Sequence, residues 1–162
     1  MSGNPGAGKT TIAKIVEEIT GAVRLTSDEV RVELFPKPTF SKQEHDELYA
    51  ILNQRTEELL KSGQSVIYDA NLNRLQHRQE KYDICERVGA KPVLLWVKTP
   101  REMARSRAVH DSRSHLWPPN ETPGDMFDRV VDIVEEPNDA ELYIRVDGQN
   151  ASKETVITAL GM

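Results

Sequence analysis

Gly3-Asn4-Pro5-Gly6-Ala7-Gly8-Lys9-Thr10 is the stretch that decides how this chain is read. It satisfies the spacing G-x-x-x-x-G-K-[ST] throughout. The glycines let the backbone curl until successive N–H groups face a single anion. A helical pattern follows directly, with Ile12, Ile15, Val16 and Ile19 recurring on one face of residues 9–20 and Gly21 as a C-cap. The positive end of that helix adds to the same anion-binding concavity.

Such a loop predicts a nucleoside triphosphate site. Gly3, Asn4, Pro5, Gly6, Ala7, Gly8, Lys9, Thr10 and Thr11 form the expected nucleotide-binding set. Within it Lys9 reaches the β- and γ-phosphates, and the Thr10 hydroxyl ligates Mg²⁺. The expected cofactors are therefore ATP and Mg²⁺.

Working outward, extended and helical segments alternate. Residues 22–25, 65–68, 92–97 and 142–146 read as strands, and residues 73–88 and 152–160 as helices. Ser41 with Glu44 predicts a capping box for a long helix reaching residue 62. Helix resumes near Pro100, and Thr122-Pro123 reads as an N-cap followed by proline in the first turn. This alternation predicts an α/β fold of three layers, a parallel sheet with helices on both faces. Loops of this kind join a strand to a helix, yet only Met1 and Ser2 precede Gly3. The first strand, central in such a sheet, is thus expected to be missing, and the native start is expected upstream.

Two further segments deliver acids to the carboxyl edge of the sheet. In Thr26-Ser27-Asp28-Glu29-Val30-Arg31 a carboxylate and a guanidinium three residues apart share one helix face. Asp28 there can take a proton from an attacking hydroxyl, and Arg31 can hold a substrate anion or orient Asp28. The plainer alternative is that Ser27 or Asp28 caps the helix. The apolar strand Val66-Ile67-Tyr68 ends in Asp69-Ala70-Asn71. Asp69 is a candidate Mg²⁺ ligand or positioning group. Asn71 suits either a substrate hydrogen bond or an Asx turn. Arg74 and Arg78 read as a solvated helix face rather than a substrate grip.

Residues 101–121 carry Arg101, Arg105, Arg107 and Arg113 against few acids. Arginines on a mobile segment can close over the charge that phosphoryl transfer accumulates. A lid is expected here, with Arg105 and Arg107 as its catalytic arginines and Trp117-Pro118-Pro119 as a rigid tip or a wall. Trp96 and Cys85 read as packing residues, and packing is the safer reading for Trp117 as well. His45, His77, His110 and His115 show no metal-ligand spacing.

At 162 residues, residues 1–162 suit a single domain. The net charge of −5 offers no global basic field for nucleic acid, which makes a nucleic-acid partner the lesser expectation. One cysteine rules out an internal disulfide and suits a reducing compartment. No apolar run approaches a membrane span, so no membrane partner and a cytoplasmic location are expected.

The order of P-loop, Ser-Asp-x-x-Arg, strand with Asp-x-Asn and an arginine-bearing segment resembles the small P-loop kinases related to the polynucleotide 5′-kinase domain. Zeta toxins, chloramphenicol phosphotransferase and gluconate kinase are similar in layout. The resemblance implies a sheet of order 2-3-1-4-5. It also implies that Asp28 is the general base and Arg31 the acceptor-side arginine. Asp69 and Asn71 match the family's Asp-Thr-Asn segment, with Ala70 in place of threonine, and Arg105 and Arg107 match its lid arginines. The expected activity is transfer of the γ-phosphoryl group of MgATP to a hydroxyl of a small molecule. The alternatives are a polynucleotide 5′-hydroxyl kinase and a nucleotide-dependent switch or binding protein without transfer. The acceptor's identity and the oligomeric state stay open.

Overall fold

The computed structural model describes residues 1–111 and 121–162. Arg113, His115 and Trp117-Pro118-Pro119, with much of the expected lid, lie outside the described residues. The order of elements is α1 (Lys9–Thr20), β1 (Val23–Thr26), α2 (Ser27–Leu34), α3 (Lys42–Lys61), β2 (Val66–Asp69) and α4 (Leu75–Val88). These are followed by β3 (Leu94–Lys98), α5 (Arg101–Val109), α6 (Pro123–Asp132), β4 (Tyr143–Asp147) and α7 (Lys153–Leu160). The mixed α/β architecture with parallel pairing matches the expectation. Each strand runs a residue or so further toward its carboxyl end than its apolar run.

The strands pair in parallel as β1 with β2, from Val23↔Val66 to Thr26↔Asp69, and β3 with β4, from Leu94↔Tyr143 to Lys98↔Asp147. Among the described residues a continuous 2-3-1-4-5 sheet is not formed. Met1 and Ser2 stand between the pairs: the Met1 nitrogen donates to Tyr68 O at 3.1 Å. Ser2 N donates to Leu95 O and Ser2 O accepts from Val97 N, both at 2.9 Å. Two residues make a bridge rather than a ladder, so the described strands remain two pairs.

Apolar clusters cover both faces. On one, Ile12 and Ala13 of α1 pack with Ile67, Leu95, Val97, Val146 and Val156. On the other, Val30, Leu48 and Leu52 pack with Ala70. Ala104, Ala108 and Phe127 join α5 to α6. Burying such side chains contributes roughly 1.5–3 kcal/mol each. Trp96 is buried within β3, as its apolar run implied. Among the described residues no helix is long and apolar enough to cross a membrane.

Two local expectations are corrected. Ser41 Oγ accepts from Glu44 N at 3.2 Å, but the Glu44 carboxylate turns to the N–H groups of Thr39 and Phe40, so only half a capping box forms. Arg78, expected on a solvated face, is 1% exposed. It makes two 2.7 Å hydrogen bonds to Glu141 and donates to the carbonyls of Leu72 and Glu135. A guanidinium carries five donors, and these partners take four of them.

Candidate active site

The glycine-rich loop sits at the carboxyl edge of the strands and is held from three sides. Thr99 Oγ1 donates to Ala7 O at 2.8 Å. Gly3 N donates to Asn73 Oδ1 at 3.5 Å. Gly6 adopts φ 68°, and a Cβ there would stand 2.1 Å from Ala104 O of α5. Glycine is thus required for conformation and for close approach together. Opposite the loop, a Cβ on Gly148 would lie 2.0 Å from Ala7 O and 2.3 Å from Thr99 Oγ1. Neither Gly148 nor Asn73 stands out in the sequence, because both act through contacts distant along the chain.

Lys9 Nζ lies 2.8 Å from the carbonyls of both Gly3 and Asn4, so its ammonium is drawn over the hollow of the loop. A cavity of about 790 Å³ opens there, lined by Gly8, Lys9, Thr10 and Thr11 of the loop and helix and by Asp28, Asp69 and Asn71. Arg107, Gly148 and Gln149 line it as well.

Asp28 owes its place to a strand that passes straight into a helix. β1 ends at Thr26 and α2 begins at Ser27, so no loop blurs the position. Thr26, in extended backbone, accepts from Glu29 N at 3.0 Å and is the N-cap. Neither Ser27 nor Asp28 caps α2, contrary to the plainer alternative. Arg31, one turn on, does not line this cavity. Its guanidinium lies 5.1 Å from the Phe40 ring centre, and its buried Nη1 has no hydrogen-bond partner.

Asp69 is 9% exposed at the end of β2. Arg24 of β1, absent from the expected set, places Nη1 3.3 Å from Asp69 Oδ2 and also meets Glu17 and Glu29. Burial opposes the charge of Arg24, but its hydrogen bond to Glu17 and the charges of Glu29 and Asp69 outweigh it and raise its pKa. An arginine within a short strand was the available signal. Thr10 and Asp69 together fit magnesium, which takes one or two protein oxygens and fills its octahedron with water and phosphate. Among the described residues no cluster of three or more His, Cys, Asp or Glu forms a self-sufficient metal cage.

Of the two readings offered for Asn71, the Asx turn is the one formed. Its Oδ1 accepts from Asn73 N at 3.0 Å, forming an Asx turn, and the residue also lines the cavity. Arg105 and Arg107 of α5 diverge. Arg107 Nη1 donates to Gly148 O at 2.8 Å on the cavity wall. Arg105 turns toward α6, with Nη2 3.4 Å from Asp128 Oδ2. The structure therefore brings together Lys9, Thr10, Asp28, Asp69 and Arg107, and leaves Arg31 and Arg105 outside their cavity.

The family model described as AAA domain matches residues 1–132. Comparison with curated proteins found no match. Among solved structures, the chain is similar to a sugar kinase from Janibacter sp. HTCC2649, at 18% identity and TM-score 0.69, covering 99% of this chain and 90% of that one. It is similar to the Mycobacterium tuberculosis APS kinase in complex with AMPPNP and APS, at 20% identity and TM-score 0.70, covering 99% and 95%. A gluconokinase from Sinorhizobium meliloti 1021 aligns at 16% identity and TM-score 0.64, covering 99% and 87%. At these identities the likeness shows a shared fold.

Proposed function

We propose that this chain, which belongs to the AAA domain family, is an ATP-dependent phosphotransferase that moves the γ-phosphoryl group of MgATP to a hydroxyl of a small molecule. One observation carries the reading. A single cavity is lined both by the phosphate-binding loop with Lys9 and Thr10 and by two carboxylates, Asp28 and Asp69. The kinase names of proteins that share the fold support it.

In this reading the loop N–H groups and Lys9 hold the phosphates. The acceptor oxygen bonds to the γ-phosphorus as the bond from that phosphorus to the β–γ bridging oxygen breaks, and ADP leaves. Asp28 takes the proton released by the hydroxyl. Arg107, tied to the backbone of Gly148, stands where its charge can meet that accumulating on the phosphoryl oxygens. Thr10 and Asp69 would hold magnesium, which when bound draws charge from the phosphate oxygens. A base and an ammonium in one cavity also set this reading apart from a switch, which has no use for Asp28.

The test is ADP release from MgATP across a panel of hydroxyl-bearing metabolites, with 5′-hydroxyl oligonucleotides alongside and Lys9→Met as the control. Acceptor-dependent release lost in Lys9→Met is expected. MgATP binding with no acceptor-dependent release from any compound would favour the switch.

A further inference from the structure

A second cavity, of about 460 Å³, lies between α3 and α4 and shares Asn71 with the first. Its volume falls within the range of small-ligand pockets, about 300–1,000 Å³. Tyr49 stands at the junction. Burial raises its phenol pKa against the backbone of Asn71, the side chain of Ser27 and the charge of Arg31, with Asp28 also nearby. A molecule seated in the second cavity therefore has its route to Asp28 past Tyr49 and Asn71.

The chemistry of the walls limits what sits there. His45, Asn53, His77 and Gln76 supply neutral donors and acceptors. Burial pushes the pKa of both imidazoles down, which leaves them uncharged at pH 7. His77 keeps a buried Nδ1 with no hydrogen-bond partner. The formal charges on the lining are Asp46, Glu80 and Lys81, but Asp46 is ion-paired with Lys42 and Lys81 Nζ is 3.1 Å from Glu80. The nearby guanidinium of Arg31 is faced by Glu44. A dianionic phosphate or sulfate thus meets charges already paired and no arginine fork on the lining, whereas hydroxyls find amide, imidazole and phenol partners.

We infer that this cavity is the acceptor subsite and that it takes an uncharged polyhydroxy compound of sugar size, an inference that rests on the phosphotransfer reading above. The acceptor lies along α3 and α4, and one hydroxyl passes Asn71 to reach Asp28. Sugar phosphates, sugar acids and 5′-hydroxyl oligonucleotides find no unpaired cation on this lining, because Lys81 is held by Glu80 and Arg31 does not line the cavity.

Ala50, exposed on α3 and lining the cavity, allows a test that spares the loop. Nucleotide binding is measured first by titrating MgATP into wild-type and Ala50→Trp protein, and equal affinity is expected. ADP release is then followed with uncharged hexoses, pentoses and alditols, with their phosphates and acids, and with a 5′-hydroxyl oligonucleotide. Turnover with at least one uncharged member is expected, and Ala50→Trp should raise its KM by at least about tenfold, the equivalent of 1.4 kcal/mol. Normal MgATP binding with turnover only of charged acceptors, with no turnover of any compound, or with an unchanged KM in Ala50→Trp overturns the subsite and leaves the nucleotide site standing. Failure of wild-type protein to bind MgATP overturns the phosphotransfer reading and the subsite with it.

Discussion

Arg24 and Asp69 meet diagonally across the β1–β2 ladder. Arg24 is in register with Ile67, and its Nη1 reaches forward to lie 3.3 Å from Asp69 Oδ2. The period of two along β2 puts Ile67 and Asp69 on one face, so a long side chain from the neighbouring strand spans the gap. A nearly buried acid that is a candidate magnesium ligand is thereby neutralised from its own sheet.

Arg24→Met should expose the cost of that acid. Removing one partner of a buried pair costs about 3 kcal/mol, and Arg24 and Asp69 side chains are 11% and 8% exposed. If Asp69 also holds magnesium, the ion should restore part of the loss by binding the folded state alone. Thermal melts of wild type and variant with and without MgCl₂ and a nucleotide check this. An equal magnesium response in both would remove Asp69 from the metal site.

Asp28 and Thr26 should separate chemistry from capping. Asp28→Asn is expected to lower turnover by ~10²–10⁴-fold with MgATP affinity nearly unchanged. Thr26→Ala should instead cost about 1 kcal/mol of stability through the lost cap on Glu29 N. Acceptor-dependent ADP release and chemical denaturation of both variants distinguish the two. Full turnover in Asp28→Asn would move the base to Asp69.

The arginines of α5 should part in the same way. Arg107→Ala is expected to reduce turnover by at least ~10-fold, as for the loss of a charge-stabilising donor. Arg105→Ala breaks an exposed pair with Asp128 and should change stability by less than about 1 kcal/mol. Its steady-state kinetics should match wild type. Equal kinetic losses in the two variants would show that both arginines reach the nucleotide during turnover.

The Arg78–Glu141 pair predicts an acid limb in stability. The hydrogen bond from Arg78 holds the Glu141 carboxyl below its ordinary value, opposed by burial and helped by Tyr82. A folded pKa below the unfolded one stabilises the protein above about pH 4.5 and loses that contribution as pH falls through the folded value. Glu141→Gln should lower stability by about 3 kcal/mol at pH 7 and flatten its fall between pH 5 and 3. Urea denaturation across that window reads both effects. A parallel drop in wild type and variant would assign the acid limb to other carboxylates.

Local chemistry was legible in the order of residues. The loop from Gly3 to Thr10 and the helix behind it depend on neighbours in the chain. So do the α1 C-cap at Gly21 and the cap on Thr122, whose side chain accepts from Asp125 N at 3.2 Å. Asp28 and Asp69 were found because each lies within three residues of the end of an apolar run read as a strand, and parallel strands end on one edge. What only the tertiary structure decided rests on contacts between residues far apart in sequence. Arg78 and Glu141 are 63 positions apart, and their mutual burial turns an apparently solvated arginine into a core residue. Thr99 and Ala7 are 92 apart, and Arg107 reaches the cavity through Gly148, 41 positions on. Arg105 and Arg107 look alike in sequence, yet two residues on an α-helix are separated by about 200° of rotation. That angle sends one guanidinium to the cavity and the other to Asp128, and the packing of α5 against α6 and the loop determines which.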